Sequence, residues 1–465
     1  MISFVQFVLL ARFLSPQDFG LAAAAAIITL FIALIAEFGF SDAIIQREGL
    51  MTEDINLPFY ISMGTSVLLS ALAIIFSDSI GGWFGAPGLG DVIVALSIIA
   101  PLSTLSLFQE AVYKRNLAFR GLALRIVVAN LAATCVSVPC AMLGFGVWAL
   151  VIQTYLAVII GAAWIWARPM WIPGSALRMS SFRQLTRFGI PMLAMRLLDF
   201  GSTRLVELLV VGRYGIRSYG FYAASAKLNQ TLMDLLQAAL NDVSLTLLSK
   251  IAGQRERLAA VYRTSITIAS NLVSPIFVLV AALAPEICSL LFDRRWEGIE
   301  RIAAPLFLLG AVQSLQFFSR PYLSARGRSG IVLMISVAKF VVVVTALTFA
   351  PSRSIYELIH YFVIAQLLVA PVSFGLTTRE LGVSLASICR DLFPVAAACA
   401  AGFASVAASR PWVTTQADGF VAVAAIILGA VFVAAYGCVI FLLGRRQLVS
   451  VSTFVSARLA ERSLG

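Results

Sequence analysis

Charged and polar side chains recur at helical spacing in two neighbouring apolar segments, 189–211 and 218–248. The first segment carries two acid–base pairs, each three residues apart, and the second carries a polar residue at every third or fourth position. At these spacings the side chains of each segment share one helix face. They are Arg196, Asp199, Arg204 and Glu207 in the first segment, and Lys227, Gln230, Asp234, Gln237 and Asn241 in the second.

The cations of these faces suit the binding of an anionic group such as phosphate. Charges inside a membrane usually face a bundle interior or a water-filled cavity, because lipid does not solvate them. We therefore expect Arg196, Arg204 and Lys227 to bind an anion in a cavity, with Lys339 of segment 329–349 beside them. Ion pairs that only hold the helices together are the alternative role for the carboxylates. The first half of the chain has fewer such residues: Glu37, Asp42 and Arg125.

The sequence predicts no catalytic residue, no metal site and no cofactor. None of the six cysteines forms a CxxC pair, and most lie inside apolar runs. The single histidine, His360, has no evident partner for a metal ion. Asp18-Phe19-Gly20 is a kinase triplet without a kinase catalytic loop, and no Walker motif occurs in the chain.

Composition places these residues in a membrane protein. Of the 465 residues, 60% are hydrophobic and 12% are charged, whereas soluble proteins carry about 25% charged residues. Lipid offers no hydrogen-bond partner to exposed backbone groups, so spanning segments must be helices that satisfy their own backbone. We therefore predict an all-α integral membrane protein with about 14 transmembrane helices, the first of them shortened. The predicted spans are 1–11, 20–36, 56–77, 91–109, 122–141, 147–166, 189–211, 218–248, 265–284, 302–319, 329–349, 356–376, 391–409 and 419–443.

Lys and Arg concentrate in alternate loops, which predicts that both termini are cytoplasmic. The formal net charge of +11 then faces anionic lipid headgroups, and nucleic acid is not an expected partner. No outer loop exceeds about 20 residues between these spans, each taken at the helical length that a bilayer requires.

An internal repeat divides the chain. The segments 12–20 and 213–220 both run from an Arg-aromatic pair through a short turn to an aromatic-Gly pair and an Ala-rich helix. They lie six predicted spans apart, which indicates two six-helix lobes related by a parallel repeat. We expect an N-terminal lobe (1–166), a cytoplasmic linker (167–188), a C-terminal lobe (189–376), two extra spans (377–443) and a basic cytoplasmic tail (444–465).

Seven short segments, in order, resemble the Wzx-type polysaccharide-transport flippases, and most closely the exopolysaccharide and colanic-acid-type exporters. These flippases are part of the multidrug/oligosaccharidyl-lipid/polysaccharide exporter superfamily. The resemblance spans roughly residues 5–380, and the last two spans lie outside it. The matching segments are LARFLSPQDFG (10–20), EFGFSDAIIQR (37–47), YKRNLAFR (113–120), LGFGVWAL (143–150), RFGIP (187–191), GFY (220–222) and LFDRRW (291–296).

The resemblance implies a bacterial inner-membrane protein that moves undecaprenyl-pyrophosphate-linked oligosaccharide from the cytoplasmic to the periplasmic leaflet. The polymerase and glycosyltransferases of the same pathway are expected partners. In this interpretation Gln230, Gln237 and Asn241 line the sugar path, and Asp199, Glu207 or Asp234 couples transport to an ion gradient. Two alternatives stay open. One is a multidrug or other lipid exporter of the same superfamily, and the other is an enzyme, a membrane-embedded polymerase or glycosyltransferase.

Overall fold

The computed structural model describes residues 2–47, 49–241, 254–325, 328–416 and 420–444, and all regular structure in these ranges is helical. Short 3₁₀ turns cover Thr52–Ile55 and Arg294–Trp296. The α-helices are α1 (Ile2–Phe13), α2 (Pro16–Glu37), α3 (Phe40–Gln46), α4 (Asn56–Ile75), α5 (Ser77–Trp83), α6 (Leu89–Arg115), α7 (Phe119–Met142), α8 (Val147–Trp166), α9 (Met179–Asn241), α10 (Arg255–Leu272), α11 (Ser274–Ala282), α12 (Ala284–Leu291), α13 (Glu300–Gln316), α14 (Ser319–Ala325), α15 (Ser329–Phe349), α16 (Ile355–Leu381), α17 (Leu385–Gln416) and α18 (Val421–Leu443).

The prediction of an all-α membrane protein is confirmed. Among the described residues, 11 helices are long and apolar enough to cross a bilayer, and α1 adds a shorter apolar helix. The count of 14 is compatible with these helices together with the two arms of α9. Many apolar side chains of the candidate spans point outward, such as Ile426 and Leu442, because hydrocarbon solvates them as well as a protein core does.

The chain forms two compact units, Met1–Ala224 and Ser225–Gly465. In the first unit, α4 packs on α6 through Ser62, Ser66 and Ser70, which are buried on one face of α4. The hydroxyl of Thr104 on α6 donates to that of Ser66 at 3.0 Å. Small side chains let the two backbones approach closely, which is how helices associate in lipid.

An ion pair between Arg410 and the buried Glu286 ties α17 to α12 within the second unit. The Arg410 Nε on α17 donates to Glu286 Oε1 on α12 at 2.9 Å, and Arg410 Nη2 donates to Glu286 Oε2 at 3.2 Å. The Arg410 Nη2 group also donates to the carbonyl of Ala282. The α17–α18 hairpin, which the sequence assigned to two extra spans, therefore packs on α11 and α12 as part of this unit.

Residues 167–178 are non-helical but firmly attached to the first unit. Trp171 is buried, and its Nε1 donates to the carbonyl of Thr52 at 2.9 Å. Asn56 donates to the carbonyl of Ala176 and accepts from the Gly174 amide. The remainder of the predicted linker, 179–188, is helical as the start of α9.

The division of the chain at 167–188 stays a prediction. Of the predicted segments, the tail beyond residue 444 and residues 242–248 of the eighth span lie outside the described residues.

Candidate functional site

The polar residues predicted to bind substrate lie along α9, which the sequence divided into two spans. The helix continues through residues 179–241 with one break at Gly215, whose φ of 80° and ψ of 172° are non-helical. A positive φ is readily adopted only by glycine, so Gly215 allows the break without steric strain. The first arm, 179–214, carries Arg196, Arg204 and Glu207, and the second arm, 216–241, carries Lys227 and the amides.

Arg196 lies between two carboxylates of the first unit. Its Nη1 donates to Glu37 Oε2 at 2.7 Å, and its Nη2 donates to Asp42 Oδ2 at 2.7 Å. Glu37 ends α2 and is buried, whereas Asp42 on α3 is half-buried. The guanidinium charge is thus compensated in this conformation, although 39% of the Arg196 side chain stays exposed.

Arg204 and Glu207 form the ion pair that their spacing predicts, with Nη1 and Oε1 2.5 Å apart. The second oxygen of Glu207 accepts from the Tyr219 hydroxyl at 2.7 Å. Since Glu207 precedes Gly215 and Tyr219 follows it, this hydrogen bond spans the break in α9. Arg204 also lies over the ring of Phe200, 5.7 Å from its centroid.

The second arm carries an exposed polar stripe in the second unit. Lys227, Gln230 and Asp234 are exposed, and Gln237 is half-exposed. Leu228 and Met233 on the opposite face are buried. Gln230 Nε2 donates to Asp234 Oδ1 at 2.7 Å, while Lys227 forms no ion pair with any residue in the described ranges.

The remaining predicted residues are less informative. Asp199 is exposed on the first arm, and Lys339 is half-buried on α15. Asn241 is the last residue of α9, and its side chain lies outside what the structure describes. The described residues contain no group of three or more His, Cys, Asp or Glu side chains with metal-binding geometry.

Three partners escaped the sequence prediction. Tyr219 was noted only as the aromatic residue of the repeat, yet it holds the buried Glu207. Glu37 and Asp42 were noted as polar residues of the first half, but not as partners of Arg196, which is 159 and 154 residues away. The available signal was the presence of two carboxylates, Glu37 at the end of α2 and Asp42 in α3. A buried carboxylate requires a cation or hydrogen bonds to compensate it, so these acids indicated a cationic partner elsewhere in the chain.

The all-helical membrane chain that carries these charges matches a known protein family. Residues 9–301 match the sequence model of a family described as "Polysaccharide biosynthesis protein". The chain belongs to this family. The resemblance to Wzx-type flippases is thereby confirmed, and the protein is a multi-pass membrane protein of the polysaccharide biosynthesis family.

Two relatives of this chain are named for polysaccharide transport or biosynthesis. The chain is 22% identical to the succinoglycan biosynthesis transport protein ExoT of Rhizobium meliloti (strain 1021), over 71% of this chain and 67% of ExoT. It is 20% identical to the lipopolysaccharide biosynthesis protein WzxC of Escherichia coli (strain K12), over 72% of this chain and 68% of WzxC.

The fold of this family member is also that of a solved flippase. The lipid II flippase MurJ, in an inward closed conformation, superposes with a TM-score of 0.68. The match covers 96% of this chain and 97% of MurJ at 12% sequence identity. At that identity the likeness shows a shared fold.

Proposed function

We propose that this protein flips undecaprenyl-pyrophosphate-linked oligosaccharide repeat units from the cytoplasmic to the periplasmic leaflet of a bacterial inner membrane. Both termini are cytoplasmic in this proposal, and the protein transports its substrate without changing it chemically. The proposal is supported by the family match over residues 9–301 and by the similarity to ExoT, a succinoglycan biosynthesis transport protein, and WzxC, a lipopolysaccharide biosynthesis protein. Glycosyltransferases would supply the substrate, and a polymerase would use it on the other side.

Solvation explains why such a substrate needs a protein. Transfer of one unpaired hydroxyl group into hydrocarbon costs roughly 2–7 kcal/mol, and an oligosaccharide carries many hydroxyls besides the charge of its pyrophosphate. A hydrated path lined by amides and cations removes most of this penalty, while the polyprenyl chain stays in lipid. Alternating access through rocking of the two predicted lobes would then carry the headgroup across.

Residues of α9 supply the groups that this path requires. Lys227 is the leading anion-binding residue in our proposal, because it is exposed and has no carboxylate partner among the described residues. Arg196 and Arg204 are further candidates, but each must release its carboxylate partners before it can bind the substrate. Further candidates are Lys339 for the headgroup, Gln230, Gln237 and Asn241 for the sugars, and Asp199, Glu207 and Asp234 for ion coupling.

The single observation that carries the proposal is the exposed stripe of Lys227, Gln230 and Asp234 on a helix of a polysaccharide biosynthesis membrane protein. An amide and a cation on one exposed helix face match a substrate that presents hydroxyls and phosphate together. Asp234 is also exposed, unlike Glu207, so a cation from solution can reach its carboxylate.

A deletion strain tests the proposal. Lipid-linked sugars are extracted from it, and their leaflet is determined with a membrane-impermeant sugar-modifying enzyme. Completed units confined to the cytoplasmic leaflet, with loss of polymer, are expected for a missing flippase. Completed units in the periplasmic leaflet would point to a polymerase, and an unchanged lipid pool would favour a drug exporter. Re-expression of the intact chain is the control.

A further inference from the structure

Glu37, Asp42 and Arg196, which we call the clasp, join the end of α2 and the start of α3 to the first arm of α9. All three residues lie in the unit Met1–Ala224. Both guanidinium-to-carboxylate distances are 2.7 Å. Each carboxylate is held by a different nitrogen of one guanidinium, so Arg196 is the group that both acids of the clasp share.

The backbone places the two carboxylates on either side of Arg196. Phe38 and Gly39 both adopt positive φ angles, 50° and 70°, which sharply break the chain between α2 and α3. Gly39 packs on Gly189 of α9 so closely that a β-carbon built on it would lie 2.6 Å from the Gly189 carbonyl oxygen. The break is therefore seated directly on the backbone of α9 at Gly189, seven residues or about two helical turns before Arg196.

The charges of the clasp do not balance. Two carboxylates share one guanidinium, and Glu37 is only 8% exposed. A buried carboxylate is stable only while a cation or hydrogen bonds compensate it. The clasp thus stays closed because Arg196 serves both acids, and any anion that withdraws the guanidinium leaves them uncompensated.

A diphosphate can take the place of both carboxylates. Its oxygens accept from a guanidinium in the same paired geometry as carboxylate oxygens do. The Arg196 side chain is 39% exposed, so an anion from solution can approach it. An anion bound there would also repel Glu37 and Asp42 at short range. Hydration of the released carboxylates then requires α2 and α3 to move away from α9.

We propose that the clasp is a lock that the substrate's diphosphate opens by competing with Glu37 and Asp42 for Arg196. This inference rests on the proposed function, since it assigns a role to the headgroup of that substrate. A ligand shifts a conformational equilibrium only by its difference in affinity for the two states. The diphosphate has such a difference, because Arg196 is fully available to it only when the clasp is open.

A reporter cysteine measures the opening. Ser41 lies half-buried between the two acids in sequence, and Ser41→Cys is nearly isosteric. The variant is made in the full chain with its six native cysteines replaced by alanine, and reconstituted in lipid nanodiscs. We measure the rate of maleimide labelling with inorganic pyrophosphate, with polyprenyl pyrophosphate, and with sodium chloride at matched ionic strength.

The lock predicts labelling several-fold faster with a diphosphate than with chloride. Acceleration by both diphosphates indicates recognition of the phosphate groups alone, and acceleration by the polyprenyl form only indicates that the lipid chain must deliver them. The Glu37→Gln/Asp42→Asn variant should label fast without any ligand and should not respond to diphosphate. Arg196→Lys, which keeps the charge but loses the paired geometry, should fall between these two limits and provides a second variant if the double one does not fold.

Glu110→Gln is the matched control, because it neutralises a different ion pair of the same unit, that with Arg125. It should label as slowly as the parent and keep the response to diphosphate. Equal labelling of the parent and the double variant, or a parent that responds to neither diphosphate, would overturn the lock. Those results would leave the flippase proposal standing if the deletion strain still traps lipid-linked sugars. A diphosphate response without trapped sugars would instead overturn the flippase proposal and retain the lock.

Discussion

Gly20 and Gly220 pack directly against each other. A β-carbon built on either glycine would lie 3.2 Å from the amide nitrogen of the other, so the contact is symmetric. These are the glycines that end the two copies of the repeat, after Phe19 and Tyr219. A symmetric contact between equivalent residues is the arrangement expected where two repeats meet about a common axis.

Gly220→Ala should destabilise the protein. The added methyl group would collide with the backbone carbonyl of Pro16, and backbone does not give way as a side chain does. Overpacking of this kind typically costs about 1–3 kcal/mol. Thermal unfolding in detergent should therefore begin at a lower temperature in the variant.

Gly201→Ala is the control for that substitution, since Gly201 is also in α9 and has open space around its α-carbon. Alanine is a better helix former than glycine by roughly 1 kcal/mol, so the melting temperature of the Gly201→Ala variant should equal or exceed that of the native protein. Equal melting temperatures for the two variants would contradict the close packing of Gly20 and Gly220.

Tyr219→Phe should loosen the break in α9. The substitution removes the hydroxyl that donates to Glu207 across Gly215. A hydrogen bond to a charged group contributes about 1.5–3 kcal/mol, and its loss leaves one oxygen of a buried carboxylate unsatisfied. Amide hydrogen exchange should increase in residues 208–222.

Tyr222→Phe provides the comparison, because Tyr222 is also buried, and its ring stacks on that of Tyr219 at 6.4 Å. No hydrogen bond of its hydroxyl to a described residue is present. Its exchange should match that of the native protein. The same increase in both variants would mean that ring packing, and not the bond to Glu207, stabilises the break.

Arg410 and Glu286 should show strong energetic coupling in the second unit. Truncation of Arg410 leaves the buried Glu286 carboxylate uncompensated, which costs up to about 3–5 kcal/mol. Truncation of Glu286 should cost less, because 31% of the Arg410 side chain is exposed. Removal of both charges should cost clearly less than the sum of the single changes. The measurement is a double-mutant cycle of unfolding with Arg410→Met and Glu286→Gln. Additive effects would show that the pair does not attach α17 to α12.

Lys227→Gln should weaken substrate binding by about ten- to a hundredfold, since a hydrogen bond to an ionised group contributes about 1.5–3 kcal/mol. Lys227→Arg should retain most of the affinity, because it keeps the charge. Lys114→Gln removes an exposed cation at the end of α6 and should have little effect. The KM for transport, measured at two salt concentrations, separates these cases. Equal KM values for both glutamine variants would exclude Lys227 from the headgroup site.

Helix positions were the most predictable feature of the sequence. Each predicted span overlaps a helix of the described chain, apart from residues 242–248, which lie outside the described ranges. A run of about 20 apolar residues has no stable place except a membrane helix. The continuity of α9 was not predictable in the same way. Its charges divide the hydropathy signal into two segments, whereas the backbone stays helical on both sides of Gly215.

Local pairs were predictable and distant pairs were not. Arg204 and Glu207 are three residues apart, so helix geometry alone brings them together. Arg196 meets Glu37 only because the α2–α3 break packs on α9, which is a tertiary relationship that residue spacing does not encode. Trp171 illustrates the same point. It reads as part of an open linker, yet it is buried against Thr52.

Reconstitution measures whether this chain moves a lipid-linked oligosaccharide between leaflets. Purified protein is placed in liposomes with a polyprenyl-pyrophosphate oligosaccharide that carries a fluorophore on its sugar, and a membrane-impermeant reductant is added outside. We expect that the inner-leaflet fluorophores are also bleached, with or without an imposed proton or sodium gradient, and that Lys227→Gln slows this phase. Inner-leaflet fluorescence that stays protected under every gradient, in liposomes containing folded protein, would contradict it.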